Sequence, residues 1–193
     1  QDLRSCIDSI REKTVYDHYE VLVVDNNSTE PDIFTYYQQL ESDPQVQVLR
    51  WQGSFNYSAI NNFAARQADG QYLVFLNNDV KIISDDWLSE MVGLCQQKDV
   101  GVVGAKLYYE DYTVQHAGVI VGMLGVAGHC YRGSHHEDYG YGLRLTAIQN
   151  LSAVTAAFMM VKREVFVHVG GFDEQLAVAM NDIDLCLKAG RDG

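Results

Sequence analysis

Tyr72-Leu73-Val74-Phe75-Leu76-Asn77-Asn78-Asp79-Val80 is an apolar run that ends in two amides and one carboxylate. Its aliphatic and aromatic content reads as a buried strand. In an α/β sheet ligands bind beyond the carboxyl ends of strands, so an acid in that place is aimed at a site. Asp79 is therefore the first candidate for chemistry. The arrangement recurs upstream, where Tyr19-Glu20-Val21-Leu22-Val23-Val24-Asp25-Asn26-Asn27-Ser28 is a β-branched run that stops at Asp25 and a polar turn. Two such strand ends can converge on one ligand.

Around these two strands helix and strand signals alternate. A helical pattern over 2–13 carries Leu3, Cys6, Ile7 and Ile10 on one face. Ser28 or Thr29 with Pro31 opens a helix to about Leu40, and Gln45 to Arg50 reads as a short strand. Phe55 to Ala68 is helical, stopped by Asp69-Gly70. Ser84-Asp85-Asp86 caps a helix through Leu94, and Val100 to Tyr108 is a strand whose Gly101 and Gly104 allow close packing. Beyond Thr113 the pattern turns strand-like, at 114–121 and 151–161, around a Gly-, His- and Tyr-rich loop at 132–142. A short helix at 163–168 and a final one from Asn181 complete the chain. Such alternation predicts an α/β fold with an open, mostly parallel sheet flanked by helices.

The chain's 193 residues suit one domain that buries roughly 70% of its unfolded surface. Asp and Glu number 26 against 14 Lys and Arg, a formal charge of −12, and the cations form no stripe, which argues against nucleic acid. An acidic field repels polyanions, so a phosphorylated ligand needs a local cation or backbone N–H groups. Cys6, Cys95, Cys130 and Cys186 form no CxxC pair and suit a reducing, cytoplasmic setting. No apolar run of about 18 residues spans a membrane, and no export signal opens the chain. It starts without Met inside a helical pattern and stops just after another helix, as an excised segment would.

Several residues read two ways. Asp25 is a turn former or a ligand contact, and the company of Asp79 favours the latter. Asp182 and Asp184 lie in a helix's first turn, where the dipole alone favours acids. His116, beside Ala117-Gly118, is a core histidine or an acceptor contact. Tyr131, Tyr139 and Tyr141 suit a sugar-stacking loop or a packed one. His129, Cys130, His135, His136 and Glu137 include zinc's usual ligands, but their spacing fits no standard finger. Cys186 reads as core.

Taken in order, Val24-Asp25-Asn26-Asn27-Ser28, Asn56-Tyr57-Ser58 with Asn61-Asn62, Phe75-Leu76-Asn77-Asn78-Asp79-Val80, Gln115-His116-Ala117-Gly118, Ser152-Ala153-Val154-Thr155-Ala156, Gly170-Gly171-Phe172-Asp173-Glu174 and Asn181-Asp182-Ile183-Asp184-Leu185-Cys186-Leu187 resemble the family 2 inverting glycosyltransferases with the GT-A fold. Bacterial enzymes that build O-antigen and rhamnan are the nearest likeness. The resemblance implies a single GT-A domain over 1–193 that lacks the family's first strand and its C-terminal part. It implies hexosyl or deoxyhexosyl transfer from a nucleotide-diphosphate sugar to a carbohydrate or lipid-linked glycan, with Mg²⁺ or Mn²⁺. Cytoplasmic placement is implied too, with peripheral contact at the inner membrane face through regions outside this chain.

Residue by residue, the resemblance makes Asp25 the base and ribose contact, with Asn27 and Ser28 shaping the turn, and gives Asn61 a donor contact. Asn77-Asn78-Asp79 stands where the family has D-x-D, so an amide replaces the first acid and Asp79 remains for the cation, with Asn77 and Asn78 on the donor side. Asp182 matches the second acid of the E-D motif, the general base, with Asn181 in place of Glu. His116, Asp173 and Asp184 fall on the acceptor side. A leaving diphosphate needs its charge neutralised, and a sugar hydroxyl needs a carboxylate to take its proton. A nucleotidyltransferase of related fold is the rival enzyme reading, although neither G-x-G-x-x-G nor G-x-x-x-x-G-K-[ST] occurs. A non-catalytic carbohydrate-binding or assembly module is the rival outside enzymes.

Overall fold

The computed structural model describes residues 2–191. Helices α1 (Asp2–Lys13), α2 (Pro31–Leu40), α3 (Tyr57–Gln67), α4 (Trp87–Cys95), α5 (Arg163–His168) and α6 (Asn181–Arg191) alternate with strands. The strands are β1 (Val21–Asn26), β2 (Val46–Trp51), β3 (Tyr72–Leu76), β4 (Val102–Gly104), β5 (Leu107–Tyr108), β6 (Val114–His116), β7 (Val119–Val121), β8 (Ala127–His129) and β9 (Phe158–Lys162). β1 and β2 pair in parallel, Asp25 opposite Arg50. β3 and β4 both pair antiparallel with β9, which lies between them. β5–β6 and β7–β8 are antiparallel as well, so among the described residues β1–β2 is the parallel pair and the pairing is less parallel than expected, while the α/β class holds.

Side-chain alternation along β9 explains the layering. Phe158 and Met160 enter one core with α1, α2 and α4, while Met159 and Val161 enter a second with α3, α5 and α6. β3 divides the same way, with Leu73 and Phe75 in the second core and Val74 and Leu76 against the first. A sheet covered on both faces needs near-continuous apolar strands, and these have them. Phe172, 2% exposed, anchors the second core, its ring 4.8 Å from Phe75 and 5.6 Å from Phe166. Burial of each such ring contributes about 2–3 kcal/mol.

Element boundaries differ from expectation where geometry intervenes. β3 ends at Leu76, and Asn77 to Val80 form a turn closed by the Val80 N–H on the Asn77 carbonyl (3.3 Å). The strand expected over 114–121 breaks at Gly118, whose φ of +100° and close approach to Leu151 leave no room for a Cβ. The one expected over 151–161 begins at Phe158. Glu30, not Ser28 or Thr29, stands at the N-cap of α2, with Pro31 following. Gly101 and Gly104 are closely packed, facing Val165 and Val154.

Candidate active site

The C-terminal end of β3 and the N-terminal end of β9 lie at one sheet edge, because the strands are antiparallel and Leu76 pairs with Phe158. The segment Thr155 to Ala157, just before β9, is the hub of that edge. Ala157's carbonyl accepts the Asn77 N–H (3.0 Å), tying it to the turn that carries Asp79. Ala156's carbonyl accepts the Tyr57 hydroxyl (2.8 Å), and its N–H donates to Asp182 Oδ2 (3.3 Å). Thr155's N–H donates to His116 Nε2 (3.3 Å). Asp79 and Asp182, far apart in sequence, are therefore attached to one three-residue segment.

Asp182 is half-buried in the first turn of α6 and lines a cavity of about 300 Å³, walled also by Val119, His129, Val178 and Met180. Its Oδ1 accepts the Ile183 N–H (2.9 Å), and its own N–H donates to Asn181 Oδ1 (2.8 Å). The loop before it is held by α3. Asn56 donates to the Glu174 carbonyl (2.8 Å), Ser58 to Leu176 (2.7 Å), and the Ala177 carbonyl accepts the Tyr57 N–H (2.8 Å). Asn62 brackets Phe172, donating to its carbonyl (2.9 Å) and accepting its N–H (3.0 Å). Asn56 also caps α3 by accepting the Ala59 N–H (3.0 Å). Burial, with the Asp182 charge behind it, pushes the Tyr57 phenol up, while the Asn61 side chain lowers it.

Asn78 and Asp79 are exposed and Asn77 half-buried, so the turn offers one carboxylate and two amide oxygens to solvent. Among the described residues no group of three His, Cys, Asp or Glu could hold a metal. The donor set fits Mg²⁺ or Mn²⁺ in one way, with a single protein carboxylate and the remaining oxygens from water and substrate phosphates.

Asp25 is 5% exposed and already engaged. Oδ1 accepts Tyr37's hydroxyl (2.8 Å) and the Ser28 N–H (3.3 Å), and Oδ2 pairs with Arg50 (2.6 Å). Burial alone would raise its carboxyl pKa, but the hydrogen bonds from Ser28, Arg50 and Tyr37, with the Arg50 charge, outweigh it and hold the group below the usual carboxylate range. Arg50 lies over Phe34 (5.0 Å) and Tyr37 (4.7 Å). Asn27, at φ 57°, donates to the Gly53 carbonyl (3.0 Å) and shapes the turn.

Asn61 bonds back to the Tyr57 carbonyl (2.8 Å), on the helix that borders the Asp182 loop. Asp173 accepts the Gln175 N–H (2.9 Å) within its own turn, and Asp184 pairs with Lys188 (2.6 Å), one helical turn on. Both carboxylates are thus engaged locally. His116 is 1% exposed, with both ring nitrogens engaged: Nδ1 lies 2.8 Å from His129 Nδ1. Burial, then the electrostatic effect of the neighbouring His129 ring, pushes its pKa down to about 4. This is the core-histidine reading, and its exposed partner is the ring at the cavity. His135 and His136 stack on each other at 4.3 Å. Tyr141 is 87% exposed.

A larger cavity, about 1,120 Å³, lies between β4, the 144–154 segment and α5, and none of Asp25, Asp79 or Asp182 lines it. Sequence reasoning gives Tyr57 and Arg50 no role of their own and offers His129 only as a zinc-type ligand, because the importance of all three comes from partners distant in the chain. His129 is singled out by the cavity it lines, Tyr57 by its bond to the Ala156 carbonyl and Arg50 by its pairing with Asp25.

The family model described as glycosyl transferase family 2 matches residues 1–170. An uncharacterized protein of Sinorhizobium fredii, y4gI, is 52% identical over 188 residues, covering 96% of this chain and 21% of that protein. The O-antigen biosynthesis protein RfbC of Myxococcus xanthus is 44% identical over 195 residues, covering 99% of this chain. The chain spans 15% of RfbC's length. Among solved structures, the mannosyltransferase PcManGT of Pyrobaculum calidifontis, in complex with GDP-Man and Mn²⁺, aligns with a TM-score of 0.63 at 17% identity over 95% of this chain and 46% of its own. GalNAc-T7 with UDP, GalNAc and Mn²⁺ gives 0.72 at 15% identity over 95% and 37%. These likenesses show the fold, which is of the GT-A type. With the family model covering most of its length, the chain belongs to glycosyl transferase family 2.

Proposed function

We propose that this chain transfers a hexosyl or deoxyhexosyl unit from a nucleotide-diphosphate sugar to a carbohydrate or lipid-linked glycan, with inversion, in the synthesis of a cell-surface polysaccharide. The observation that carries this reading is Asp182, a carboxylate half-buried at the sheet edge of Asp79 and open to a sugar-sized cavity. In the single displacement, the acceptor oxygen attacks the anomeric carbon from the face opposite the diphosphate, and the bond to the phosphate oxygen breaks as the new glycosidic bond forms. Asp182 takes the hydroxyl proton. Tyr57 and the Ala156 N–H fix the segment and the carboxylate, so the base is held in place before substrate arrives.

Asp79 would hold Mg²⁺ or Mn²⁺, with Asn77 and Asn78 beside it on the donor side. When bound, such a cation neutralises charge on the leaving diphosphate. Mn²⁺ with a nucleotide or nucleotide sugar in the two solved structures supports this. Asp25, with Asn27 and Ser28, takes the base and ribose, and Asn61 contacts the donor. A single domain is supported by the packing. β1–β2 and β3–β9–β4 form separate hydrogen-bonded sets, yet one core joins them. Four buried free thiols support a reducing, cytoplasmic setting, and among the described residues no helix is long and apolar enough to cross a membrane. Calorimetric titration of the full protein with a panel of nucleotide sugars, with and without Mn²⁺, tests the reading. Metal-dependent binding of one donor followed by transfer supports it, and binding of none overturns it.

A further inference from the structure

The His116–His129 pair fixes a proton position at the Asp182 cavity. A backbone amide only donates, so the Thr155 N–H leaves His116 Nε2 as a bare acceptor. The proton of the neutral, buried His116 ring must then sit on Nδ1, where it meets His129 Nδ1 at 2.8 Å. His129 Nδ1 must accept it, and the proton of the neutral His129 ring is left on Nε2. His129 is exposed and, among the described residues, its Nε2 has no partner. The ring stands in the cavity wall with Asp182, beside Val119, Val178 and Met180.

We infer that His129 is an acceptor-positioning residue, a neutral Nε2–H donor whose tautomer is set by buried His116. The inference rests on the reading of the Asp182 cavity as the acceptor site. That cavity presents an acceptor, Asp182, and a donor, His129, beside the apolar side chains of Val119, Val178 and Met180, and its volume is at the small end of ligand pockets (roughly 300–1,000 Å³). A single pyranose matches these features. One hydroxyl gives its proton to Asp182, a second oxygen of the same sugar accepts from His129, and the C–H face lies on Val119 and Val178. Neither imidazole exchanges a proton with substrate. The pair acts by orientation, and a histidine with its proton on Nδ1 could not provide it.

Long-range ¹H–¹⁵N correlation spectra of the wild-type imidazoles at neutral pH should show His129 protonated on Nε2 and His116 on Nδ1. Either opposite tautomer overturns the inference without any variant. Titration with methyl α-mannopyranoside and methyl α-rhamnopyranoside should shift the His129 resonances. His129→Ala should weaken binding of the glycoside about tenfold, since one neutral hydrogen bond is lost, and His129→Gln, which keeps an N–H donor, should recover part of it. Donor affinity should stay unchanged in both. Binding of neither glycoside to the wild type, or equal binding by His129→Ala, overturns it. If Asp182→Asn retains turnover while the sugar still shifts His129, the base assignment fails and this inference stands. Loss of turnover in Asp182→Asn with no effect at His129 sinks this inference alone.

Discussion

Asp182 is accessible from a cavity yet braced by two backbone N–H groups, which suits a base that must hold still and still reach a substrate. As the general base it acts in the transition state, so Asp182→Asn should cut turnover about 10²–10⁴-fold with donor affinity nearly unchanged. A variant that keeps most of its rate in a steady-state assay would return Asp182 to the role of a helix-start acid, worth about 1 kcal/mol or less. Asp184→Asn should be milder, because that carboxylate is paired with Lys188. Asp79 contributes no core packing, so Asp79→Ala should abolish Mn²⁺-dependent donor binding while the circular dichroism spectrum stays native. Unchanged donor affinity in the presence of Mn²⁺ would refute the metal role.

Helix α3 works as a bracket for the loop that leads into α6. Asn62 meets both the N–H and the carbonyl of Phe172, and its replacement strands two buried backbone groups. Asn62→Leu should therefore lose about 2–3 kcal/mol in urea unfolding, more than an exposed Asn would. The other end of α3 is closed from β9's side, where Arg163 spreads its guanidinium over the carbonyls of Ala65 (3.2 Å), Ala68 (2.6 Å) and Gly70 (2.6 Å). A lysine cannot span three acceptors with a rigid fork. Arg163→Lys should lose about 1–2 kcal/mol in the same measurement, and an unchanged midpoint would show that the fork is dispensable. Phe55 to Ala68 reads as this helix in the sequence, but its clamps come from residues roughly a hundred positions away.

The protein should lose stability on mild acidification, and His116 sets the window. Its pKa falls from 6.5 in the unfolded chain to about 4 when buried. Above pH 6.5 both states are neutral and the full stability is present. Between 6.5 and 4 the unfolded chain takes a proton that the native ring refuses, which costs about 3 kcal/mol by pH 4. Asp25, held below the usual carboxylate range, adds a further loss that begins as the pH falls below the ordinary carboxylate value of about 3.8 and is complete once it has passed the lower native value. Urea midpoints measured across this range should fall steeply in the wild type and less so in His116→Asn; parallel curves would refute the assignment. Strands β1 to β3, most helices and the two strand-end acids could be read from sequence because period, capping and turn chemistry act over a few neighbours. His116 could be placed beside Ala117-Gly118 but not assigned, since its partners, Thr155 and His129, lie 39 and 13 residues away. Likewise Asp25 reads as an unpaired acid until the parallel register sets Arg50 opposite it. Residue type and spacing specify which groups can make a site. Which of them meet, and which are spent on one another, depends on contacts between distant segments, whose geometry is set by the packing of the two cores against the sheet.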